Sequence, residues 1–428
     1  MENGKWKRGI NFSQAKYKII NNYSFIPSIR SNFHVSIPRE ILENFDMNRK
    51  DSVVLVEIKD TESKHASMRI KKLHHEGGSF IISFKAEKHF TKPVIRVVKI
   101  LDEGKALERY YRVKKGSICL KSVIPKETRG GTPIYVIEDG KRLFVGGYYK
   151  KDIMVKEEID LDNDTLSFLG LYFSDGGKTA ASFTNSWPIA INTVLDFIEK
   201  TFNIDRRVVK SSIYCNPNMK DKKDVLEEFW ASETGIENIS DKLHFGKNSR
   251  SPQGTLELYF CSQIITEILV SILNVINNYS FDRIPMIRGI MSGDGSPLQH
   301  TKHSINHHIA FDGKDENLEF LKKSFFGFRT YTLNNRKRFV IKSKWKENRN
   351  LIFIDPYRFN PKNRIRFAKN FLLLPKTITS SDKEIHNFKK KQYPLIYKSI
   401  KNHYKKLLDL ELIQEKYMER IANGFNIC

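Results

Sequence analysis

The chain has 428 residues, enough for two or three domains with well-filled cores. Its 73 Lys and Arg residues against 49 Asp and Glu residues give a formal net charge of +24 at pH 7, which predicts a polyanionic partner such as nucleic acid. An AT-rich genome, which favours Lys and Asn codons, would produce a similar excess of lysine. The charge alone therefore does not distinguish a nucleic-acid partner from a bias of composition. No apolar stretch approaches the ~20 residues of a membrane span, and no secretory signal is recognisable. The sequence therefore excludes an integral membrane protein and predicts a cytoplasmic, nucleoid-associated one.

Residues 1–160 read as a mainly β domain. Short runs of β-branched and aromatic residues alternate with turn signals such as Gly77-Gly78 and Asp139-Gly140. The predicted strands are Val53–Ile58, Phe80–Phe84, Val94–Ile100 and Ile134–Ile137.

Within this domain, residues 31–42 predict a strand that runs into Pro38 and a short helix, followed by a turn and the strand Val53–Ile58. This order resembles the AbrB-type swapped-hairpin DNA-binding domain, although Lys50-Asp51 stands where that family usually has Gly-Asp. A fainter second copy begins at Val123–Glu127, and two copies would interleave within one chain. The alternative is a generic β-hairpin domain whose prolines end edge strands.

Beyond residue 160, strands alternate with long helices of apolar periodicity. The predicted helices are Ile189–Phe202, Gln263–Ile276 and Leu318–Phe326. Residues 216–251 have the character of an insertion, with an acidic helix around 224–229 and a basic loop at 242–250.

Two nine-residue segments, Phe168–Gly176 and Ile287–Gly295, share a pattern with Gly third, Asp eighth and Gly ninth. Each predicts a short helix buried on one face, with Asp164 as the cap of the first and Pro285 in the first turn of the second. The third-position glycines, Gly170 and Gly289, lack a Cβ and would let two helix backbones approach closely.

Each segment places one carboxylate, Asp175 or Asp294, at the carboxyl end of its helix. Two such groups side by side repel each other and meet the negative ends of both helix dipoles. A divalent cation resolves this conflict, and Mg²⁺ (or Mn²⁺) prefers carboxylate and water oxygens. Bound ions can activate water and stabilise the leaving oxygen of a phosphodiester.

These segments resemble the LAGLIDADG motif of homing endonucleases, with both copies in one chain. The resemblance implies an α+β fold in which a mainly β amino-terminal domain precedes a pseudo-dimer of two αββαββα halves, residues 161–280 and 281–375, and a helical tail, residues 376–428. It implies metal binding at Asp175 and Asp294 with the adjoining Gly176 and Gly295, and cleavage of both strands of duplex DNA. It also implies a monomer with an internal pseudo-two-fold, with dimerisation through the amino-terminal domain as an alternative.

By the same resemblance, basic strands of each half lie along the DNA major groove. The expected DNA-binding residues are Arg206, Arg207, Lys210, Arg329, Arg336, Arg338 and Lys342. A lysine near the end of the fourth strand, Lys344 or Lys346, would polarise the attacking water in the second half. The first-half stretch at residues 259–263 has no lysine, so the two strands are expected to be cut unequally.

The tail shows helical apolar periodicity from Tyr393 to Leu408 with many lysines between. It has three interpretations: a solvated helical face, a helix docked on the core, or a clamp on DNA. A further alternative for the whole chain is a non-cleaving, sequence-specific DNA-binding transcriptional regulator on the same scaffold. Retention of both aspartates argues against it, because a pure binder has no need for two repelling carboxylates.

Overall fold

A computed structural model gives the architecture. It describes residues 17–27, 34–45, 51–62, 66–76, 79–83, 92–110, 112–147, 152–177, 180–240, 243–246, 251–260, 262–301, 304–310, 328–333, 336–344, 355–372, 387–416 and 418. The described part is mixed α+β, with several small, mainly antiparallel sheets and ten α-helices. No helix among these residues has the length and apolar character needed to cross a membrane.

The chain forms two compact units. The first comprises Met1–Arg112, Cys119–Glu158 and Ser262–Ser271, and the second comprises Val113–Ile118, Ile159–Cys261 and Ile272–Cys428. The division into four sequence-defined parts remains a prediction.

Strands dominate the first unit. They are β1 (Tyr17–Asn21), β2 (Ser24–Pro27), β3 (His34–Ile37), β4 (Ser52–Asp60), β5 (Ala66–Lys72), β6 (His74–Glu76), β7 (Ser79–Ser83), β8 (Pro93–Asp102), β11 (Tyr135–Asp139), β12 (Arg142–Gly146) and β13 (Ile153–Lys156). Between them lie three short helices, α1 (Arg39–Glu43), α2 (Glu103–Leu107) and α3 (Leu120–Val123). The strands β9 (Val113–Lys114), β10 (Ser117–Cys119) and β14 (Glu158–Asp160) form a further small sheet in the order β14-β10-β9.

The central strand of this unit is β4, in a five-stranded sheet of order β1-β2-β8-β4-β5. Its alternate residues enter two different cores: Val54 and Val56 pack with Phe25, whereas Val53 and Leu55 pack near Tyr135. Burial on both faces explains why this strand is a nearly continuous apolar run instead of an alternating one. Smaller sheets of order β3-β7-β6 and β11-β12-β13 complete the described strands of the unit.

The sequence located the strands of this unit well. The four predicted strands correspond to β4, β7, β8 and β11. The predicted strand, Pro38, helix and strand also occur in that order as β3, α1 and β4, but β3 and β4 belong to different sheets.

The second copy expected at Val123–Glu127 does not repeat this order. Residues before Pro125 form the helix α3, and the residues after it form a turn closed by a bridge between Glu127 and Pro133. The chain turns here without a helix, so the described structure gives the second copy no support.

The second unit contains most of the helices. They are α4 (Asn163–Asp175), α5 (Pro188–Phe202), α6 (Lys223–Thr234), α8 (Arg283–Gly293), α9 (Pro361–Leu372) and α10 (Tyr393–Asp409), while α7 (Gln263–Val275) has residues in both units. The cap of α4 is Asp162, which accepts a 2.8 Å hydrogen bond from the Thr165 amide, so the capping role expected of Asp164 is wrong. Asp164 lies in the first turn instead. The predicted helix Leu318–Phe326 lies outside the described residues.

Two four-stranded sheets belong to this unit. The first contains β15 (Ser182–Asn185), β16 (Lys210–Cys215), β17 (His244–Phe245) and β18 (Thr255–Tyr259), in the order β15-β18-β16-β17. The second contains β19 (Gly295–Thr301), β20 (Ser304–Ala310), β21 (Phe328–Leu333) and β22 (Arg336–Lys344), in the order β19-β20-β22-β21. In both sheets the last strand lies between two earlier ones, but the pairing differs: the last strand of the first sheet pairs with its first and second strands, and that of the second sheet pairs with its second and third. The first sheet also contains one parallel pair, β16 with β17, whereas the second is entirely antiparallel.

Candidate active site

The helices α4 and α8, which carry the two matched segments, pack against each other at their third-position glycines. A Cβ on Gly170 would lie 2.1 Å from the Met286 carbonyl oxygen and 3.0 Å from the Gly289 Cα. A Cβ on Gly289 would lie 2.4 Å from the Ser167 carbonyl oxygen. Any side chain at either position would force the backbones apart. The predicted close approach of the two helices is therefore confirmed.

This packing brings the carboxyl ends of the two helices together. A Cβ on Gly293, the last residue of α8, would lie 2.9 Å from Oδ2 of Asp175, the last residue of α4. Asp294 follows Gly293 directly and is the C-cap of α8. The Asp175 carboxylate therefore lies beside the end of the helix that presents Asp294.

The Asp175 carboxylate has few donors around it. Asn185, at the end of β15, donates a 2.9 Å hydrogen bond to Oδ2. The residue as a whole keeps some exposure, but its carboxylate is largely removed from water, and this burial raises the pKa of Asp175 to about 6 although the Asn185 bond lowers it. The sequence alone predicts no role for Asn185. The only signal available was its place in the first strand after the first motif.

The end of α8 is held by the segment that leads into α9. Ser292 Oγ accepts a 3.2 Å hydrogen bond from the Phe359 amide, and the Asn360 amide group donates to the Ser292 carbonyl oxygen at 3.1 Å. The Asn363 side chain donates to the Gly295 carbonyl oxygen at 2.8 Å. These bonds fix the backbone on both sides of Asp294. Nothing near the second motif in the sequence pointed to Asn360 or Asn363.

Lack of space for a side chain, and not the backbone conformation, requires glycine at the ninth position of each motif. Gly176 has φ −78°, which any residue can adopt, but a Cβ there would lie 2.3 Å from the Tyr172 carbonyl oxygen. A Cβ on Gly295 would lie 2.3 Å from the Met291 carbonyl oxygen. The chain therefore turns sharply out of both helices immediately after the aspartate.

The residues present fit a divalent cation. Among the described residues, no group of three or more His, Cys, Asp and Glu side chains is placed to hold a metal. Mg²⁺, however, commonly takes only one or two carboxylates and completes its shell with water and substrate phosphate oxygens. A carboxylate that is short of hydrogen-bond donors, next to a second helix end that presents another, matches that requirement.

The register of the second sheet places five of its six Lys and Arg positions on one face, and Lys337 on the other. In the antiparallel register, Arg338 faces Tyr331 and Ala310, Lys342 faces Asn306, and Arg329 faces Val340. Since residues two apart in a strand share a face, these pairings put Arg329, Arg336, Arg338, Lys342 and Lys344 on the same face of the sheet. The other face carries apolar positions, among them Phe328, Ile305, Ile309, Phe339 and Ile341.

The matching face of the first sheet is much less charged. Lys210 is exposed and pairs with Tyr259, and its face continues through Glu257 and Tyr214. Glu257 Oε2 accepts a hydrogen bond from the Tyr259 hydroxyl at 2.5 Å. The opposite face holds buried residues such as Leu256, Leu258 and Ile213. The described strands of this half thus present hydroxyl groups with one lysine and one glutamate.

The register argues against the water-polarising role expected of Lys344. Gly295 pairs with Ile309, and Ile309 pairs with Phe339, so Phe339 marks the level of the second motif. Lys344 lies five residues farther along β22, a separation of roughly 17 Å at the rise of a strand. Lys346 lies outside the described residues.

Arg206 and Arg207 also differ from their predicted placement. They lie in a 3₁₀ helix, Arg206–Val208, and not on a strand. Arg206 donates to Glu199 Oε2 at 2.6 Å and also pairs with Asp196, while Arg207 pairs with Asp205. Both guanidinium groups are thus engaged by carboxylates of the protein itself.

Comparisons with known proteins give little beyond this geometry. No protein-family model matches the chain, and no characterised protein matches its sequence. A crystal structure of I-DmoI in complex with DNA and Ca is similar to 46% of this chain and 92% of its own, at 16% identity and a TM-score of 0.23. A likeness at that TM-score is too distant to establish a shared fold. The AbrB resemblance of the amino-terminal part has no support from these comparisons.

Proposed function

We propose that this chain is a site-specific, metal-dependent endonuclease that hydrolyses phosphodiester bonds of double-stranded DNA. The observation that carries the proposal is the contact of α4 and α8 at Gly170 and Gly289, which brings the ends of two helices together with Asp175 and Asp294 at those ends. A structural helix pair has no need of a carboxylate at both ends of such a contact.

Asp175 and Asp294 would hold Mg²⁺ or Mn²⁺, which when bound supplies an activated water and charge neutralisation at the phosphodiester. Asn185 orients the Asp175 carboxylate, and the asparagines at 360 and 363 hold the backbone that presents Asp294. Because burial raises the pKa of Asp175 to about 6, protons would compete with the cation for this carboxylate below that pH, and metal binding would weaken as the pH falls.

The cost of burying this carboxylate favours an enzyme over a pure DNA-binding regulator. A rise of the Asp175 pKa from 3.8 to about 6 corresponds to at most about 3 kcal/mol of native-state stability at neutral pH. In a protein that only binds DNA nothing would offset this loss of stability, whereas in a metal-dependent nuclease the binding of the cation would offset it.

Two sheet faces of unlike chemistry would contact the DNA. The second sheet offers five basic positions on one face, which suits phosphates and guanine edges. The first offers Lys210 among hydroxyl groups. Because Lys210 is exposed and is the first residue of its strand, Lys210→Ala should weaken DNA binding while leaving the unfolding free energy within about 0.5 kcal/mol of wild type.

The test uses the purified chain and its Asp175→Asn and Asp294→Asn variants with a randomised duplex library and Mg²⁺, followed by sequencing of cut ends and of bound, uncut DNA. Asp164→Asn is the matched control, because Asp164 lies on the same helix as Asp175 but is exposed in its first turn. We expect recurrent Mg²⁺-dependent double-strand cuts that both motif variants abolish and the control retains. Selective binding without cuts, unchanged in both motif variants, would instead identify a regulator.

A further inference from the structure

The carboxyl-terminal helix α10 is docked by one face. Five of its residues are buried at helical spacing: Tyr393, Ile396, Ile400, Tyr404 and Leu407. This periodicity is the apolar stripe of an amphipathic helix that packs on protein. Of the three interpretations that the sequence left open for the tail, docking on the core describes this face.

Polar contacts fix the docked face against the second unit. Lys406 forms an ion pair with Glu233 of α6, and its ammonium lies 5.7 Å from the centre of the Phe229 ring. The His403 ring lies 5.3 Å from the Trp187 ring, just before α5. Lys406 therefore contacts the protein itself, and we treat it separately from the exposed lysines of the helix.

The opposite face of the helix carries exposed lysines. Lys398, Lys401 and Lys405 are exposed and follow one another at spacings of three and four residues, and Lys391, in the preceding π-helical turn, is exposed one heptad before Lys398. Residues at these spacings share one side of a helix. We call these four residues the lysine stripe. None of them forms an ion pair with a described carboxylate, and the exposed Asp409 ends the stripe.

We propose that the lysine stripe binds the phosphate backbone of duplex DNA and so forms a DNA contact separate from the two sheet faces. This inference rests on the proposed function for the identity of the ligand. Successive lysines among Lys398, Lys401 and Lys405 lie about 4.5 Å and 6 Å apart along the helix axis, more than the ~3.4 Å of axis between charges along one DNA strand, so each flexible lysine can reach a phosphate of its own. A docked helix presents these charges without first having to fold.

A membrane surface fits the same helix less well. Helices that bind membranes insert their apolar face into the lipid, with lysines on the polar side. In α10 that apolar face is buried against protein, and among the described residues of the exposed side Leu395 is the only large hydrophobic one, 62% exposed. The stripe can therefore attract an anionic surface only through charge, which suits the high charge density of DNA.

The experiment measures the affinity of the full chain for a short duplex of random sequence by fluorescence anisotropy, as a function of salt between about 50 and 200 mM. A variant with Lys→Gln at all four stripe positions removes the charge, and a variant with Lys→Arg at the same positions keeps it. The matched control changes Lys115, Lys126, Lys141 and Lys156, four exposed lysines outside the helix, to Gln. Thermal unfolding monitors the fold of each variant.

We expect the Lys→Gln stripe variant to lower the slope of log affinity against log salt by about 3.6, at ~0.9 for each lost phosphate contact. The Lys→Arg variant should keep the wild-type slope, and the control should change it less than the stripe variant does. Equal slopes for the stripe and control variants would show a merely solvated face and overturn the inference. So would a stripe variant that loses binding to phosphatidylserine vesicles but not to DNA.

The two proposals fail in distinguishable ways. If the library shows no cleavage but the stripe variant still lowers the salt slope, the nuclease proposal falls and the DNA contact stands. If cleavage depends on both aspartates while the stripe variant binds DNA as wild type does, only the inference about the tail is overturned.

Discussion

The raised pKa of Asp175 predicts that Asp175→Asn stabilises the protein. Burial raises the pKa of this carboxyl from 3.8 to about 6, so the folded state holds a proton that the unfolded state has already lost. Stability that is present below about pH 4 is therefore lost as the pH rises towards 6 and does not return at higher pH. Asn185 can still donate to the oxygen of an asparagine, so the substitution removes the charge and keeps the contact.

The size of the effect follows from the shift. The difference between 3.8 and about 6, at 1.36 kcal/mol per pH unit, gives about 3 kcal/mol at pH 8 and about 1.5 kcal/mol at pH 5. These values are upper bounds, because Asp175 keeps some exposure. Asp164→Asn should lower stability slightly at pH 8, since an exposed carboxylate in the first turn favours its helix.

The assay is urea unfolding with a chelator present, at pH 5 and pH 8, for wild type, Asp175→Asn and Asp164→Asn. The stabilisation by Asp175→Asn should be larger at pH 8 than at pH 5. A variant that is less stable than wild type at pH 8, or a stabilisation that does not change with pH, would refute the reasoning. Replacing the chelator with excess Mg²⁺ or Mn²⁺ should raise the midpoint temperature of thermal unfolding of wild type and leave that of Asp175→Asn unchanged.

Three further predictions concern packing and ion pairs. Gly170→Ala should cost roughly 1–3 kcal/mol in urea unfolding and abolish cleavage, because its Cβ meets the Met286 carbonyl oxygen, whereas Gly246→Ala, with nothing within 4 Å, should be neutral. Arg109 donates to backbone carbonyl oxygens at 2.7–3.3 Å, and its burial lowers the pKa of the guanidinium to about 10. Arg109→Lys should lower the free energy of unfolding by about 3 kcal/mol, because a lysine leaves several of these carbonyl oxygens without a hydrogen bond. An unchanged unfolding midpoint would contradict this prediction. Arg206→Ala should lower the free energy of unfolding by about 1 kcal/mol yet leave DNA affinity nearly unchanged, because the Arg206 guanidinium pairs with carboxylates of the protein. A large loss of DNA affinity in a variant of unchanged stability would show instead that Arg206 contacts DNA.

Much of the secondary structure was readable from local pattern. The strands β4 and β8 and the helices α5 and α7 fall where the local pattern placed them, because each element is defined by residues a few positions apart. The boundaries were less secure: the cap of α4 is Asp162, since Asp162 and Asp164 are both good capping residues and only the backbone geometry selects between them.

The sequence by itself determined the pair of matched helices, each with a glycine at its contact and an aspartate at its end, because spacing along one helix fixes which residues share a face. Only the tertiary structure decided how those aspartates are surrounded. The low hydration of Asp175 depends on Asn185 and on Gly293 of another helix, and the position of Lys344 along β22 relative to the second motif depends on the register of β20 with β22. Such pairings join residues far apart in the chain, and the packing of whole elements sets them, so no local pattern encodes them.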